Sequence, residues 1–333
     1  MSRDPHPDTR PTRGRLGLVS TPPYLVVGID GSFGSLSVAR WAATWAAARS
    51  LQVRLLTGCA AEPRTASART TMIETVGRML GRVAATLRRD HAGLAVTPHV
   101  VTAAPATALI EASRGAAAVV VGLEPGPDEG SGKSAICTAA GCSCPLVHRG
   151  QLAEDLATHA HSVVIAVPTG QVWAAAPIIV GVDGSPGSLQ ATRFAITQAA
   201  ASGVALVGLS VHGPRPDQEQ RNQRHHCLRA VEIDALLEPL ARSGPEVSFT
   251  TRHVYGDPVR LLACPDRDAS LVVVGFRGCG RRDGPWLGSV TRGALRQASV
   301  PVAVIRPRSG GRGGRRPHPR RTTTGSGRRL SLR

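Results

Sequence analysis

The chain has 333 residues, 42% of them hydrophobic and only 3% aromatic, so about two domains can each bury a core of Ala, Val and Leu. Its net charge of +17 is almost all Arg, with Lys133 the one lysine; nine Arg and no acid stand in residues 307–333. No apolar run approaches the roughly 20 residues of a membrane span, and seven scattered cysteines argue against a disulfide framework and for a reducing cytosol.

Residues 1–21 are rich in Pro, Arg and Asp, lack an apolar core and read as a disordered leader. The first ordered segment is Leu25-Val-Val-Gly-Ile-Asp-Gly-Ser32, a buried strand that runs into a turn, then Gly34-Ser-Leu36. The helix that follows carries Trp41 and Trp45 one turn apart, which reads as a single packed face. A later strand, Ala118-Val-Val-Val-Gly122, leads into Leu123-Glu124-Pro125.

Beyond Pro125 two alignments compete. In one, Gly150-Gln151 opens the last helix, Leu152–Ala160, and Val163–Val167 is the last strand, after a 15-residue insertion. In the other, Gly132-Lys133-Ser134 opens the helix and Cys144-Pro-Leu-Val147 is the strand, in a loop three residues short. The first is preferred because it uses the better strand. Within this stretch Gly130-Ser-Gly-Lys-Ser134 ends like a phosphate loop, but Pro127 stands where that pattern needs glycine. Cys137, Cys142, Cys144 and His148 have zinc-ligand chemistry in an unfamiliar spacing; small apolar cysteines are the simpler account.

The second half reads as alternating strands and helices. Strands are expected at Ile178–Val182, Val204–Val211, Val247–Tyr255, Leu271–Val274 and Val302–Ile305. Helices are expected at Ser188–Ser202, ended by Gly203, then Gln218–Arg242, Pro258–Cys264 and Ser289–Ala298. Ile178-Ile-Val-Gly-Val-Asp-Gly-Ser185 repeats the first segment, and Leu271-Val-Val-Val-Gly275 repeats the later strand. Asp30 to Gly122 spans 92 positions, as does Asp183 to Gly275, so the chain is a duplication with a constant offset of 153. Alternation of this kind predicts an α/β fold: two tandem, doubly wound, five-stranded, Rossmann-like parallel sheets, in residues 22–170 and 171–306. Ligands of such sheets sit beyond the carboxyl ends of the strands, where Asp183 and Gly275 fall.

After the fourth strand of the second half the chain reads Gly275-Phe-Arg-Gly278, nine residues, then Gly288-Ser289-Val290 and a helix. Glycine admits close approach to backbone, and a helix N-terminus attracts phosphate. Ser289 is placed to cap the helix or to donate to a phosphate oxygen, and Asp183 to accept from ribose or adenine. Singly these are ordinary turn and cap residues; their combined spacing is the stronger sign.

On those residues the second half resembles a universal stress protein of the ATP-binding type: Asp183, Gly275, Gly278, Gly288, Ser289 and Val290, with Ser299-Val-Pro-Val-Ala-Val-Ile305 as the closing strand. The resemblance covers about residues 24–306. It implies ATP as ligand, alone or with Mg, with Asp183 and Val211 at the adenosine and the glycine loop with Ser289 at the phosphates. It also implies stress tolerance or dormancy as the setting. Members pair through the last strand, and tandem members form that pair within one chain; a homodimer is a further expectation. In the first half Asp30 and Gly122 keep their places, but Pro125 replaces the second glycine and has no amide hydrogen to donate. Glu124, Asp128 and Glu129 add charge against phosphate, so weak or absent binding is expected there.

No enzyme is expected, with slow ATP hydrolysis as the one open alternative. No base or carboxylate pair surrounds the loop, where Asp283 is the only acid, and the motifs of adenylating enzymes on related folds are absent. The tail, residues 307–333, reads as a disordered, solvated end. The alternative is a nucleotide-independent scaffold that uses the tail to contact nucleic acid or another polyanion.

Overall fold

The computed structural model describes residues 23–59, 65–123, 150–171, 175–213, 230–265, 269–279 and 286–306. The leader, the Glu124–His148 stretch with its cysteines and Lys133, residues 218–229, Asp283 and the Arg-rich tail lie outside the described residues.

The first half runs β1 (Tyr24–Gly28), α1 (Phe33–Ala47), β2 (Gln52–Gly58), α2 (Ala66–Asp90), β3 (Val96–Val101), α3 (Pro105–Ala112), β4 (Ala118–Leu123), α4 (Gln151–His159) and β5 (Val163–Pro168). The second runs β6 (Ile178–Gly181), α5 (Pro186–Ser202), β7 (Leu206–His212), α6 (Ala230–Ser243), β8 (Phe249–Tyr255), α7 (Pro258–Ala263), β9 (Leu271–Gly275), α8 (Ser289–Gln297) and β10 (Val302–Ile305). The helix at Gln151 and the strand at Val163 stand where the first alignment puts them. Helix α5 starts at Pro186 rather than Ser188, because proline is tolerated in a first helical turn and Ser185 caps it.

The strands form one sheet in the order β3-β2-β1-β4-β5-β10-β9-β6-β7-β8. Each half is parallel with its first strand between its second and fourth. The halves meet where β5 and β10 pair antiparallel, Val302 opposite Ala166 and Val304 opposite Val164. The last strand of each half therefore closes on the other, and the two predicted sheets become a single ten-stranded one.

Alternation along the strands decides which residues face which layer. Leu25, Val27, Ile178 and Val180 pack under α1, α2, α5 and α6, whereas Val26, Ile179, Val272 and Val274 pack under α3, α4, α7 and α8. Both faces of the inner strands are covered, which is why β1, β4, β5, β6, β9 and β10 are almost uninterrupted Val, Ile, Leu and Ala, whereas the outermost strands β3 and β8 carry Thr, His and Arg at exposed positions.

The repeated Asp-Gly-Ser has a local cause. Asp30 Oδ1 accepts the Ser32 amide and Asp183 Oδ1 the Ser185 amide, each at 3.0 Å. The glycine between them takes positive φ, 80° at Gly31 and 77° at Gly184. Ser32 and Ser185 then cap α1 and α5, accepting from the amides of Ser35 and Ser188.

Side chains lock the seam on both faces. Arg49, after α1, donates to Gln198 Oε1 at 2.5 Å, to the Gln198 carbonyl at 3.1 Å and to Ser202 Oγ at 2.8 Å, all at the end of α5. Its guanidinium lies 4.2 Å from the centre of the Trp45 ring, and Trp41 stacks on Trp45. Burial lowers Arg49 to about 10, which leaves it charged at neutral pH. On the other face Arg306 donates to the Ala160 carbonyl at 2.6 Å.

Candidate nucleotide site at the carboxyl ends of β6, β7 and β9

Strand β9 pairs with β6, so the turns after both strands open at the same end of the sheet. Between them lies a crevice of about 1070 Å³, near the upper end of the usual range for ligand pockets. Val182 and Asp183 come from the turn after β6, Leu209 and Val211 from β7, and Gly275 and Gly278 from β9 and its loop. Helix α7 adds Leu262, and the opening of α8 adds Gly288, Ser289 and Val290. Of the sequence-predicted residues, Asp183, Val211, Gly275, Gly278, Gly288, Ser289 and Val290 all share this crevice.

Asp183 holds two turns together. Its Oδ1 accepts the Ser185 amide, and its Oδ2 accepts the Cys279 amide at 2.8 Å. This ties the glycine loop to the turn after β6. The glycines have packing reasons of their own. A β-carbon on Gly278 would clash with Asp183 Oδ2, far closer than van der Waals contact allows. One on Gly275 would stand 2.7 Å from the carbonyl carbon of Gly187, and one on Gly187 would stand 2.5 Å from the Arg277 carbonyl oxygen. The loop is thus pressed against α5, and its glycines serve the fold before any ligand arrives.

Gly288, not Ser289, occupies the N-cap of α8, and no side chain caps it. Ser289 is the first helical residue and is exposed to the crevice. Thr291 Oγ1 donates to the Gly275 carbonyl at 2.8 Å, and the Gly288 amide donates to the Phe276 carbonyl at 3.0 Å, so the helix start is pinned to the end of β9. The first amides of a helix have no partners within it and carry the positive end of its dipole. Here they open on the crevice.

Charge in the lining favours an anion. Arg277 and Arg292 are both in it, and Asp183 is the one carboxylate among the described lining residues. Arg277 Nε donates to the Trp286 carbonyl at 2.7 Å. Neither Arg292 nor Trp286 is marked by local sequence; both reach the crevice through the path of the loop and the packing of α8. In the first half Asp30 and Gly122 lie at the ends of the neighbouring strands β1 and β4, while the loop after Leu123 lies outside the described residues.

The family model described as the universal stress protein family matches residues 176–306. A universal stress protein of Mycobacterium tuberculosis is 31% identical over 295 residues, covering 85% of this chain and 96% of that protein. One from Mycolicibacterium smegmatis is 30% identical over 308 residues, covering 85% and 97%. The crystal structure of a universal stress protein from Archaeoglobus fulgidus has a similar fold, with a TM-score of 0.64 at 16% identity over 85% of this chain and 98% of that one.

Proposed function

The chain belongs to the universal stress protein family, and from that premise we propose that it binds ATP in the crevice of its second half and acts in stress tolerance or dormancy according to occupancy. The observation that carries the reading is the convergence on one crevice of the glycine loop, Asp183 and the N-terminal amides of α8. The α8 amides suit phosphate, which needs donors and positive charge. Val211, Leu209 and Leu262 suit the flat apolar faces of a purine. Ser289 and Val290 would lie beside the phosphates. Asp183 keeps further lone pairs for a ribose hydroxyl or an adenine amine.

Magnesium would enter on the phosphates rather than on a protein cage. Asp183 is the single carboxylate among the described lining residues, and both its oxygens already accept amide hydrogens. The same engagement argues for binding rather than turnover, since a carboxylate spent on two amides is a poor general base.

The pairing of β5 with β10 uses up the last-strand edges inside the chain. We therefore read the functional unit as the two halves of one chain, with nucleotide held by the second.

Calorimetry with ATP on the intact protein tests the reading. One site per chain is the expected result. Two sites would return the first half to the nucleotide-binding class, and no heat at saturating ATP would overturn the proposal.

A further inference from the structure

Helices α4 of the first half and α8 of the second meet beside the seam, and Glu154 on α4 is the carboxylate between them. Its side chain is 16% exposed. It accepts from Arg296 Nε at 2.5 Å, with Arg296 Nη2 at 3.4 Å, and stands 3.4 Å from Arg292 Nε. The two grips differ. Arg296 makes hydrogen bonds; the buried Nε of Arg292 makes none among the described residues, so charge alone holds it to Glu154.

Arg292 also lines the crevice. It stands in the opening turn of α8, where the helix dipole disfavours a cation and where no acid is present. Two anions can stabilise it there: Glu154 from the other half, or a phosphate in the crevice.

We propose that Arg292 exchanges between Glu154 and the terminal phosphates of the bound nucleotide, so that the second half's crevice reports its occupancy to α4 of the first half. This rests on the nucleotide reading above. A guanidinium presents a planar fork that matches phosphate oxygens. When Arg292 turns away, Glu154 keeps its hydrogen bonds to Arg296, so no largely buried carboxylate is left without a partner. Discrimination of a triphosphate from a bare nucleoside then depends on a residue of the other half.

Calorimetry on the full chain with ATP and with adenosine tests this, using Arg292→Gln, Glu154→Gln and the double variant. Arg292→Gln should weaken ATP about ten-fold, the loss of one charge-assisted contact, and leave adenosine within about two-fold. Glu154→Gln removes the competitor and should tighten ATP about two- to five-fold, the scale of a partly exposed ion pair. In the Arg292→Gln background Glu154→Gln should change nothing. Adenosine binding reports a folded crevice in each variant; should Arg292→Gln lose it, Arg292→Lys replaces it, with partial loss expected for ATP alone.

Equal weakening of ATP and adenosine would overturn the proposal in favour of a packing role. A gain from Glu154→Gln that persists without Arg292 would overturn it in favour of a general charge effect. An unchanged ATP affinity in Glu154→Gln, with the wild type binding normally, would sink this proposal and spare the nucleotide reading. A wild type that binds neither ligand would sink both.

Discussion

Asp183 Oδ2 accepts the backbone amide of Cys279 across 2.8 Å, although the two residues lie on separate turns of the second half. This bond, with that from Ser185 Oγ to the Arg277 carbonyl, closes the glycine loop against the turn after β6. Its geometry leaves no room for a side chain at Gly278, directly beside the carboxylate.

Gly278→Ala is therefore expected to abolish or sharply weaken nucleotide binding while the sheet survives. The added methyl must push Asp183 aside and break the Cys279 contact. ATP affinity should fall at least about ten-fold, or 1.4 kcal/mol, with an unchanged far-ultraviolet circular dichroism spectrum. Titration calorimetry reads the first quantity; wild-type affinity in the variant would show that the loop does not need its present form to bind.

Asp183→Asn separates the charge from the shape. Asn is nearly isosteric but has one carbonyl oxygen for two amides, and its own amide group must face one of them. Losing one charge-assisted hydrogen bond and pointing a donor at a donor should cost about 1–3 kcal/mol of stability. Urea unfolding measures this. The variant should also bind ATP more weakly than wild type; a neutral result in both assays would mean that the carboxylate is dispensable.

The reach of sequence reasoning here follows from how local each cause is. Asp-Gly-Ser is legible in both halves because its turn, its positive-φ glycine and its serine cap are made within six consecutive residues. Val211 could be placed only by its position at a strand end, since nothing around it marks a ligand contact. The antiparallel seam was not readable from the strands themselves: Val163–Pro168 and Val302–Ile305 are apolar runs that look the same in either orientation. From sequence the glycines signal room for a ligand, yet the backbone of Gly187 and the carboxylate of Asp183 already demand them. Arg292 carried no local sign at all, because its partner Glu154 belongs to the other half.

The seam offers a change that should spare the crevice. Arg49→Ala removes donors to Gln198 and Ser202 and uncovers Trp45. The loss of several hydrogen bonds from a charged donor, with partial relief from its desolvation, should destabilise the chain by about 1–3 kcal/mol. ATP affinity should stay within about two-fold, because Arg49 lies under the helix layer opposite α7 and α8. Denaturation paired with calorimetry checks both parts; a large change in affinity would mean that the seam and the site are coupled through α5.

Trp286 supplies a direct optical readout. It lines the crevice yet is 67% exposed, whereas Trp41 and Trp45 pack on α1 against the core of the other face. A bound nucleotide would replace water around the indole with base or phosphate, and α8 begins only three residues further on. ATP should therefore change the tryptophan emission saturably, with the midpoint given by calorimetry. In Trp286→Phe the emission change should vanish while ATP still binds, since the aromatic face is kept. A signal that survives this substitution would place the responding tryptophan elsewhere and would remove Trp286 from the wall of the site.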